Sequence, residues 1–275
     1  MFFSVLMSVY GKEKPEYLTE CLHSLVLQTL HANEIVLVED GPISPELSSV
    51  IDSFREELNI VSVRILENIG LAGALNEGLK NCTHELVARM DTDDIAMPER
   101  FEKQIAQFKA NPNIDVLGTY AQEFDDKESR GSIRIMPITH QVILDNLFSC
   151  PFIHPSVMYK KDLILSVGGY DERLKRRQDY DLWFRCAIHN MNFSNIPESL
   201  LKYRFTADTH SRQSRKILWS QALIGFKGVR ALKQPVWKGL AAFFPLFRSF
   251  LPSKLAHLFY KLFKRFDPRQ RAGQL

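Results

Sequence analysis

The sequence predicts an open α/β sheet with helices packed on its faces, and three observations lead to this fold class. Short apolar runs alternate with segments whose apolar residues recur at helical spacing over the first 120 residues, which is typical of β-α-β architecture. The apolar runs are continuous, as expected of strands buried on both faces of a parallel sheet. With 275 residues, 45% of them hydrophobic, the chain is long enough to bury a large core.

Five strands alternate with four helices in this prediction. The strands are Phe2–Val9, Glu34–Val38, Val61–Leu66, Leu86–Met90 and Asp115–Thr119. The four helices carry apolar faces at Leu18, Cys21, Leu22 and Leu25, at Leu47, Val50, Ile51 and Phe54, at Leu71, Leu75 and Leu79, and at Phe101, Ile105 and Phe108. We place Pro98 in the first turn of the fourth helix, where the missing amide proton is tolerated.

Polar clusters follow the first four predicted strands. They are Tyr10-Gly11, Glu39-Asp40-Gly41, Asn68-Ile69-Gly70 and Asp91-Thr92-Asp93-Asp94. Each cluster alone is ordinary turn chemistry. Because open α/β sheets bind ligands at the carboxyl ends of their strands, the four clusters together predict one crevice lined by Asp40, Asn68 and the Asp91 cluster.

The segment Asp91–Asp94 carries three carboxylates within four residues. Like charges this close raise one another's pKa and resist ionising together. A divalent cation such as Mg²⁺ or Mn²⁺ removes that cost, since it prefers oxygen ligands. An acidic loop that caps the following helix is the alternative interpretation.

Other phosphate-binding motifs do not occur in the sequence. No Gly-x-Gly-x-x-Gly follows the first strand, and no Walker-type Gly-Lys-Ser/Thr occurs anywhere, so neither a dinucleotide site nor a P-loop is supported. The net charge of +3 does not indicate a polyanion-binding protein.

From these motifs the sequence resembles the family 2 nucleotide-sugar glycosyltransferases, which have the GT-A fold, a Rossmann-like open mixed sheet flanked by helices. The resemblance covers roughly residues 3 to 210 and is closest to enzymes of bacterial O-antigen and exopolysaccharide synthesis of the amylovoran type. The matching segments are Ser8-Val9-Tyr10, Glu39-Asp40-Gly41, Asn68–Ala72, Asp91–Asp94, His154-Pro155-Ser156, Gly168–Asp171 and Gln178–Trp183.

The resemblance implies roles for individual residues. Tyr10, Asp40, Asn68, Asp91 and Asp94 would bind the nucleotide-sugar donor, with Asp40 on the base, normally uracil, and Asp91 near the ribose. The metal ligands would be Asp91 and Asp93, holding Mg²⁺ or Mn²⁺ on the donor's diphosphate. The general base would be Asp179, and family members invert the configuration of the transferred sugar.

The sequence departs from the family pattern at two places. The usual Asp-Asp-Gly-Ser reads Glu39-Asp40-Gly41-Pro42, which keeps the required aspartate. The usual glutamate before the base is Gln178, and Asp181, on nearly the same helix face, is the alternative base. If Asp181 is not the base, its structural explanation is a carboxylate favoured by the helix dipole.

Four further segments allow two interpretations each. His154 lies in the acceptor region or is a core histidine hydrogen-bonded to backbone, and Asp171 is an acceptor ligand or a turn former. Tyr203-Arg204 and His210-Ser211-Arg212 resemble a loop that closes over the diphosphate, or they form a solvated basic loop. Trp183 and Phe184 are expected in the core.

The C-terminal fifth of the chain has a different character. Residues 227–271 hold eleven basic residues and one acid, interleaved with aromatics from Trp237 to Phe266 and divided by Pro245 and Pro252. The last segment, around residues 254–266, predicts a basic amphipathic helix of the kind that lies in a membrane interface; packing on the sheet is the alternative. We therefore divide the chain into a catalytic domain, residues 1–215, and a membrane-associating segment, residues 216–275.

The expected function is transfer of glucose or galactose from a UDP-sugar to an undecaprenyl-diphosphate-linked sugar acceptor. The alternatives are a sugar-nucleotide nucleotidyltransferase and a non-catalytic, membrane-bound nucleotide-binding scaffold. We expect no nucleic-acid partner. The N-terminal run has no basic n-region and no small-residue cleavage site, so we expect a first strand and not a signal peptide. The cysteines (Cys21, Cys82, Cys150 and Cys186) are expected to be free thiols, and the predicted location is the cytoplasmic face of the inner membrane.

Overall fold

The computed structural model describes residues 1–126, 130–205 and 214–251, and within them a mixed sheet of nine strands forms the centre. The strands are β1 (Phe3–Val9), β2 (Glu34–Asp40), β3 (Ile60–Ile65), β4 (Leu86–Arg89), β5 (Ile95–Ala96), β6 (Val116–Phe124), β7 (Arg130–Arg134), β8 (Met158–Lys160) and β9 (Phe193–Arg204). Their order across the sheet is β3-β2-β1-β4-β8-β6-β9-β5, with β7 paired to β6.

The first half of the sheet is parallel, as predicted. β1 lies between β2 and β4, and β3 forms the outer edge beside β2. All seven residues of β1 and of β2 are buried, which is why these strands are continuous apolar runs. The parallel order brings the carboxyl ends of β1, β2 and β4 to one edge of the sheet.

The second half is mixed, and it makes the sheet curl around the acidic segment. β8 pairs antiparallel with both β4 and β6, whereas the long strand β9 runs parallel to β6. The two-residue strand β5, directly after the Asp91 cluster, pairs antiparallel with β9. This pairing places the end of β9 against the acidic segment. The predicted mixed α/β fold class is confirmed.

Helices cover both faces of the sheet. They are α1 (Pro15–Val26), α2 (Pro45–Ser53), α3 (Leu71–Asn81), α4 (Arg100–Ala110), α5 (His140–Asp145), α6 (Lys161–Ser166), α7 (Gln178–Ile188), α8 (Arg215–Ala231), α9 (Val236–Ala241) and α10 (Phe244–Arg248). One buried cluster joins α1, α2 and α4 to the sheet, and a second joins α3, α6, α7 and α8 to the opposite face.

Several predicted boundaries were wrong. Phe2 is 71% exposed and precedes β1. Pro98 precedes α4, which begins at Arg100. The Pro98 carbonyl accepts a hydrogen bond from the backbone amide of Thr29 at 2.9 Å. The fifth predicted strand continues beyond Thr119 to the end of β6, because β9 pairs along its length.

The first of the C-terminal helices, α8, packs on α7. Gly225 and Gly228 of α8 let the helix approach α7 closely: a β-carbon would lie 2.5 Å from the Tyr180 hydroxyl at the first and 2.2 Å from the Phe184 ring at the second. The described helices include none long and apolar enough to cross a bilayer. The predicted amphipathic helix at residues 254–266 lies outside the described residues.

Candidate active site

A large open pocket lies at the carboxyl ends of β1, β2 and β4, with a volume of about 1560 Å³. It continues past the start of α7 to the C-terminal helices. Its wall includes seven of the residues that were predicted to bind the donor, the metal or the acceptor, or to act as the base: Tyr10, Asp40, Asn68, Asp91, Asp93, His154 and Asp179. The parallel strand order brings these side chains together, because residues that follow neighbouring strands meet at one edge of the sheet.

Asp40, at the end of β2, holds the loop that follows β3. Its carboxylate accepts the Asn68 side-chain amide at 2.9 Å and the backbone amides of Ile69 and Gly70 at 2.8 and 3.0 Å. Gly41 has a φ of +81°, and a β-carbon there would lie 2.7 Å from the Asn68 nitrogen. A glycine is therefore needed to bring Asp40 and Asn68 together.

Asp91 is oriented by a buried arginine in the strand before it. Arg89 is 1% exposed and donates a hydrogen bond from Nη2 to Oδ1 of Asp91. The Cys21 thiol donates to the Asp91 carbonyl at 3.3 Å. Sequence reasoning included Arg89 in an apolar strand and missed this charge. A cation directly before a carboxylate cluster is the signal that indicates such a pairing.

Asp94 is not among the residues that line the pocket and is 1% exposed. Its Oδ1 accepts the backbone amide of Arg204 at 2.8 Å. Its Oδ2 is buried and has no hydrogen-bond partner among the described residues. Burial and the neighbouring charges of Asp93 and Asp91 raise the pKa of Asp94 well above its ordinary value.

Arg204 is engaged by the protein rather than by solvent. Its Nε donates to the Asp93 carbonyl at 2.8 Å and its Nη1 to Asp126 at 3.0 Å. Nη2 donates to Glu20, and the guanidinium lies 4.0 Å from the centre of the Tyr17 ring. Arg204 is 6% exposed, so the interpretation as a solvated residue was wrong. A contact between Arg204 and the diphosphate stays a prediction. His210 and Arg212 lie outside the described residues.

The carboxylate cluster fits a hard divalent cation. One oxygen each from Asp91, Asp93 and Asp94 lie within 4.8 Å of one another, and carboxylate oxygens suit Mg²⁺ and Mn²⁺. The unpartnered Oδ2 of Asp94 is the atom that such a cation would satisfy. Desolvation inside the pocket and the charge of Asp91 raise the pKa of Asp93 to about 6, which is the cost that a bound cation removes.

Asp179 lies in the first turn of α7 and lines the pocket. Burial raises the pKa of its carboxyl, while the charge of Arg177 and the backbone amides of Tyr180 and Asp179 favour the ionised form. The alternative base, Asp181, does not line the pocket and accepts Nε of Arg185 at 2.8 Å. The geometry therefore favours Asp179 over Asp181.

His154 lines the same pocket, and its Nε2 lies 2.9 Å from the Tyr170 hydroxyl, not from a backbone group. Burial and the Arg89 charge lower its pKa well below the ordinary value. The side chain is therefore a neutral imidazole at physiological pH. Trp183 and Phe184 are in the core, as predicted.

Glu13 is a pocket residue that sequence reasoning missed. It follows β1 and accepts a hydrogen bond from the Thr92 hydroxyl. Burial, together with the charges of Asp93 and Asp91, raises its pKa to about 8. Glu13 lies in the loop after β1 that begins at Tyr10, and this shared loop is the signal that was available in the sequence.

The comparisons with known proteins agree with this geometry. Residues 4–180 match the model of "Glycosyl transferase family 2", which is more than half of the chain and includes the carboxylate cluster and Asp179. The chain belongs to this family. It is therefore a glycosyltransferase.

Two curated relatives are similar over most of their length. The amylovoran biosynthesis glycosyltransferase AmsE of Erwinia amylovora is 44% identical over 207 residues, 75% of this chain and 77% of that protein. The UDP-Gal:alpha-D-GlcNAc-diphosphoundecaprenol beta-1,3-galactosyltransferase of Escherichia coli is 37% identical over 212 residues, 77% of each chain.

Solved structures share the fold. The structure of S. aureus TarS 1–349 in complex with UDP-GlcNAc superposes with a TM-score of 0.70 at 21% identity, covering 91% of this chain and 73% of that one. Against a longer TarS structure the match covers 92% of this chain and 45% of that chain. These likenesses support the GT-A fold.

Proposed function

We propose that this glycosyltransferase transfers a hexose, glucose or galactose, from a UDP-sugar to an undecaprenyl-diphosphate-linked sugar, with inversion, in the assembly of a bacterial surface polysaccharide. The observation that carries the proposal is that one pocket contains both the Asp91–Asp93 carboxylates and Asp179. The Escherichia coli relative, a galactosyltransferase that acts on GlcNAc-diphosphoundecaprenol, supports the sugar class and the acceptor class. The Erwinia relative supports a role in polysaccharide synthesis.

The donor would bind where β1, β2 and β4 end. Tyr10 and the tied loop of Asp40 and Asn68 form the wall nearest β2 and β3 and would hold the uridine. Asp91, fixed by Arg89, would approach the ribose. The carboxylates of Asp91 and Asp93, with Asp94 behind them, would hold Mg²⁺ or Mn²⁺. When bound, such a cation offsets the charge of the departing nucleoside diphosphate.

The base would act from the opposite side of the transferred sugar. Asp179 accepts the proton of the acceptor hydroxyl as that oxygen bonds to the anomeric carbon. The bond between the anomeric carbon and the diphosphate oxygen breaks, and UDP leaves with the electron pair. Because attack and departure occur on opposite faces, an α-linked donor gives a β-linked product.

Neutral His154 is suited to orient a sugar hydroxyl, because Tyr170 fixes its Nε2 while its ring lines the pocket. The C-terminal segment, residues 216–275, would hold the enzyme on the inner face of the membrane, where a lipid-linked acceptor is found.

The test is direct transfer with purified protein. UDP-glucose or UDP-galactose is incubated with a synthetic GlcNAc-diphosphate-lipid and Mn²⁺, and the product is analysed by mass spectrometry and by the anomeric NMR coupling. A β-linked disaccharide supports the proposal. Release of free sugar alone, an α-linked product or release of pyrophosphate from a nucleotide would contradict it.

A further inference from the structure

Three consecutive cations line the pocket directly before the candidate base. Lys175, Arg176 and Arg177 all contribute to its wall and end where α7 begins. None of the three makes a side-chain hydrogen bond or ion pair within the described part of the chain. Arg173, in the same loop, differs: it does not line the pocket, and it makes a two-point ion pair with Asp171 at 2.9 and 2.8 Å.

The uncompensated charge lies on the acceptor side of the reaction. The donor's diphosphate is assigned to the carboxylates after β4, whereas Arg177 is two residues from Asp179. The acceptor hydroxyl must reach Asp179, and Lys175, Arg176 and Arg177 line the same pocket as Asp179. An acceptor bound at Asp179 therefore lies in a pocket with this cationic segment on its wall. A volume of about 1560 Å³ exceeds the roughly 300–1000 Å³ of a site for one small ligand, which leaves room for a second substrate.

The far end of the pocket is mainly apolar. The C-terminal helices supply Ile217, Leu218, Trp237, Ala241, Phe244 and Pro245 to its wall, together with the polar residues Gln221, Lys238 and Arg248. The Trp237 ring packs edge-on against Phe148, with 5.9 Å between ring centres, and is fixed by that contact. Trp237 is nevertheless 59% exposed. A hydrocarbon chain on such a wall gains free energy because its apolar surface is buried.

We propose that Lys175, Arg176 and Arg177 bind the diphosphate of the acceptor, and that the aromatic wall of α9 and α10 binds the adjoining isoprenoid carbons. This inference rests on the proposed function, in which the acceptor is a lipid diphosphate, and it assigns that acceptor a binding site in the pocket. Arginine and lysine donate charge-assisted hydrogen bonds to phosphate oxygens. The sugar attached to the diphosphate then extends from this cationic segment toward Asp179.

The experiment measures binding without turnover. Protein saturated with UDP and Mn²⁺ is titrated with farnesyl diphosphate, farnesol and inorganic pyrophosphate. The test variant is Lys175→Gln/Arg176→Gln, and the matched control is Arg173→Gln, which removes a cation from the same loop outside the pocket. We expect farnesyl diphosphate to bind the double variant at least about tenfold more weakly than the wild type, with UDP affinity unchanged.

The outcomes separate this inference from the proposed function. Equal affinity of wild type and double variant for farnesyl diphosphate overturns the assignment of the cations, as does failure of the wild type to bind it. Equal affinity for pyrophosphate and farnesyl diphosphate overturns the assignment of the aromatic wall. Binding that depends on Lys175 and Arg176, without sugar transfer to any lipid acceptor, keeps the site and contradicts the function. Sugar transfer by the double variant with an unchanged acceptor KM supports the proposed function and overturns the assignment of the cations.

Discussion

The backbone amide of Arg204 donates a 2.8 Å hydrogen bond to Oδ1 of Asp94. This bond joins the end of β9 to the acidic segment after β4, although 110 residues separate the two in sequence. The Arg204 side chain adds a second connection, through the Asp93 carbonyl. The position of the carboxylate cluster therefore depends on β9, the last strand along the chain.

Replacing Arg204 with methionine should loosen the carboxylate cluster. The change removes the hydrogen bonds to Asp93, Asp126 and Glu20, and we expect the free energy of unfolding to fall by about 2 kcal/mol. UDP binding in Mn²⁺ should weaken as well. The surface control is Lys80→Met, which removes an exposed pair with Glu77 and should cost about 0.5 kcal/mol or less. Equal loss of stability in both variants by urea denaturation contradicts this role.

Metal-dependent donor binding should require Asp93. Calorimetric titration of UDP is expected to show binding in Mn²⁺ that is lost in EDTA, and Asp93→Ala should weaken the Mn²⁺-dependent binding by roughly 100-fold or more. Asp52→Ala, in an exposed pair with Arg55, should leave it unchanged. UDP binding that is equal with and without metal would sink the assignment of this cluster as a cation site.

Asp179→Asn should abolish transfer while UDP still binds. Loss of a general base typically lowers kcat by about 10²- to 10⁴-fold. The matched control is Asp181→Asn, two residues along the same helix, which breaks the pair with Arg185 and should retain most activity. If Asp181→Asn is the inactive variant, the assignments are reversed.

The pH profile of transfer should identify the same group. Because burial raises the pKa of Asp179 and the Arg177 charge opposes that increase, kcat/KM should rise with pH as the carboxyl ionises. Arg177→Gln removes the opposing charge and should move this rise to higher pH. An unmoved profile contradicts an electrostatic effect of Arg177 on the base.

The parallel half of the fold could be predicted because its strands are buried on both faces. β1 and β2 are fully buried, so each is an apolar run that differs from the helical pattern beside it. The four strands that were missed, β5, β7, β8 and β9, lack such a signal. β5 has two residues and β8 has three, while the longer strand β9 mixes buried with exposed residues. Their pairing is decided by contacts distant in sequence, which local periodicity does not record.

The site was predictable where it depends on strand ends and not where it depends on tertiary partners. Asp40, Asn68 and Asp91 follow neighbouring strands and lie in one pocket. Arg204 has partners in distant segments of the chain, such as Glu20. Glu13 likewise pairs with Thr92, which follows a different strand. Nothing in the local sequence shows that these charged side chains are desolvated.

Membrane binding should depend on the basic residues beyond position 251. Replacing Lys254, Lys261, Lys264 and Arg265 with glutamine removes four charges, each worth about 1 kcal/mol at an anionic surface. We expect this variant to bind vesicles that contain phosphatidylglycerol at least about tenfold more weakly than the wild type, with UDP binding unchanged. Replacement of four exposed basic residues in the first 215 residues that do not line the pocket (Arg64, Lys80, Lys109 and Lys202) is the charge-matched control. Equal partition of the two variants contradicts a membrane role for the segment.

The metal-free protein should lose stability as pH rises, and Glu13 should cause much of the loss. Burial raises the folded-state pKa of Glu13 from 4.5 to about 8, so the folded state binds the proton more tightly than the unfolded state does. The protonated carboxyl is therefore tolerated in the folded protein at low pH, and stability falls as pH rises from about 4.5 to about 8. Above that range the carboxyl is ionised, and the cost of its partial desolvation in the pocket is fully present.

The variant that tests this is Glu13→Gln, which keeps an oxygen for the Thr92 hydroxyl but has no proton to lose. In EDTA, its free energy of unfolding should decline less between pH 5 and 8 than that of the wild type, and the two curves should diverge most near pH 8. The control is Glu77→Gln, at an exposed ion pair. Parallel curves for Glu13→Gln and the wild type would show that the Glu13 carboxyl is not desolvated in the folded protein.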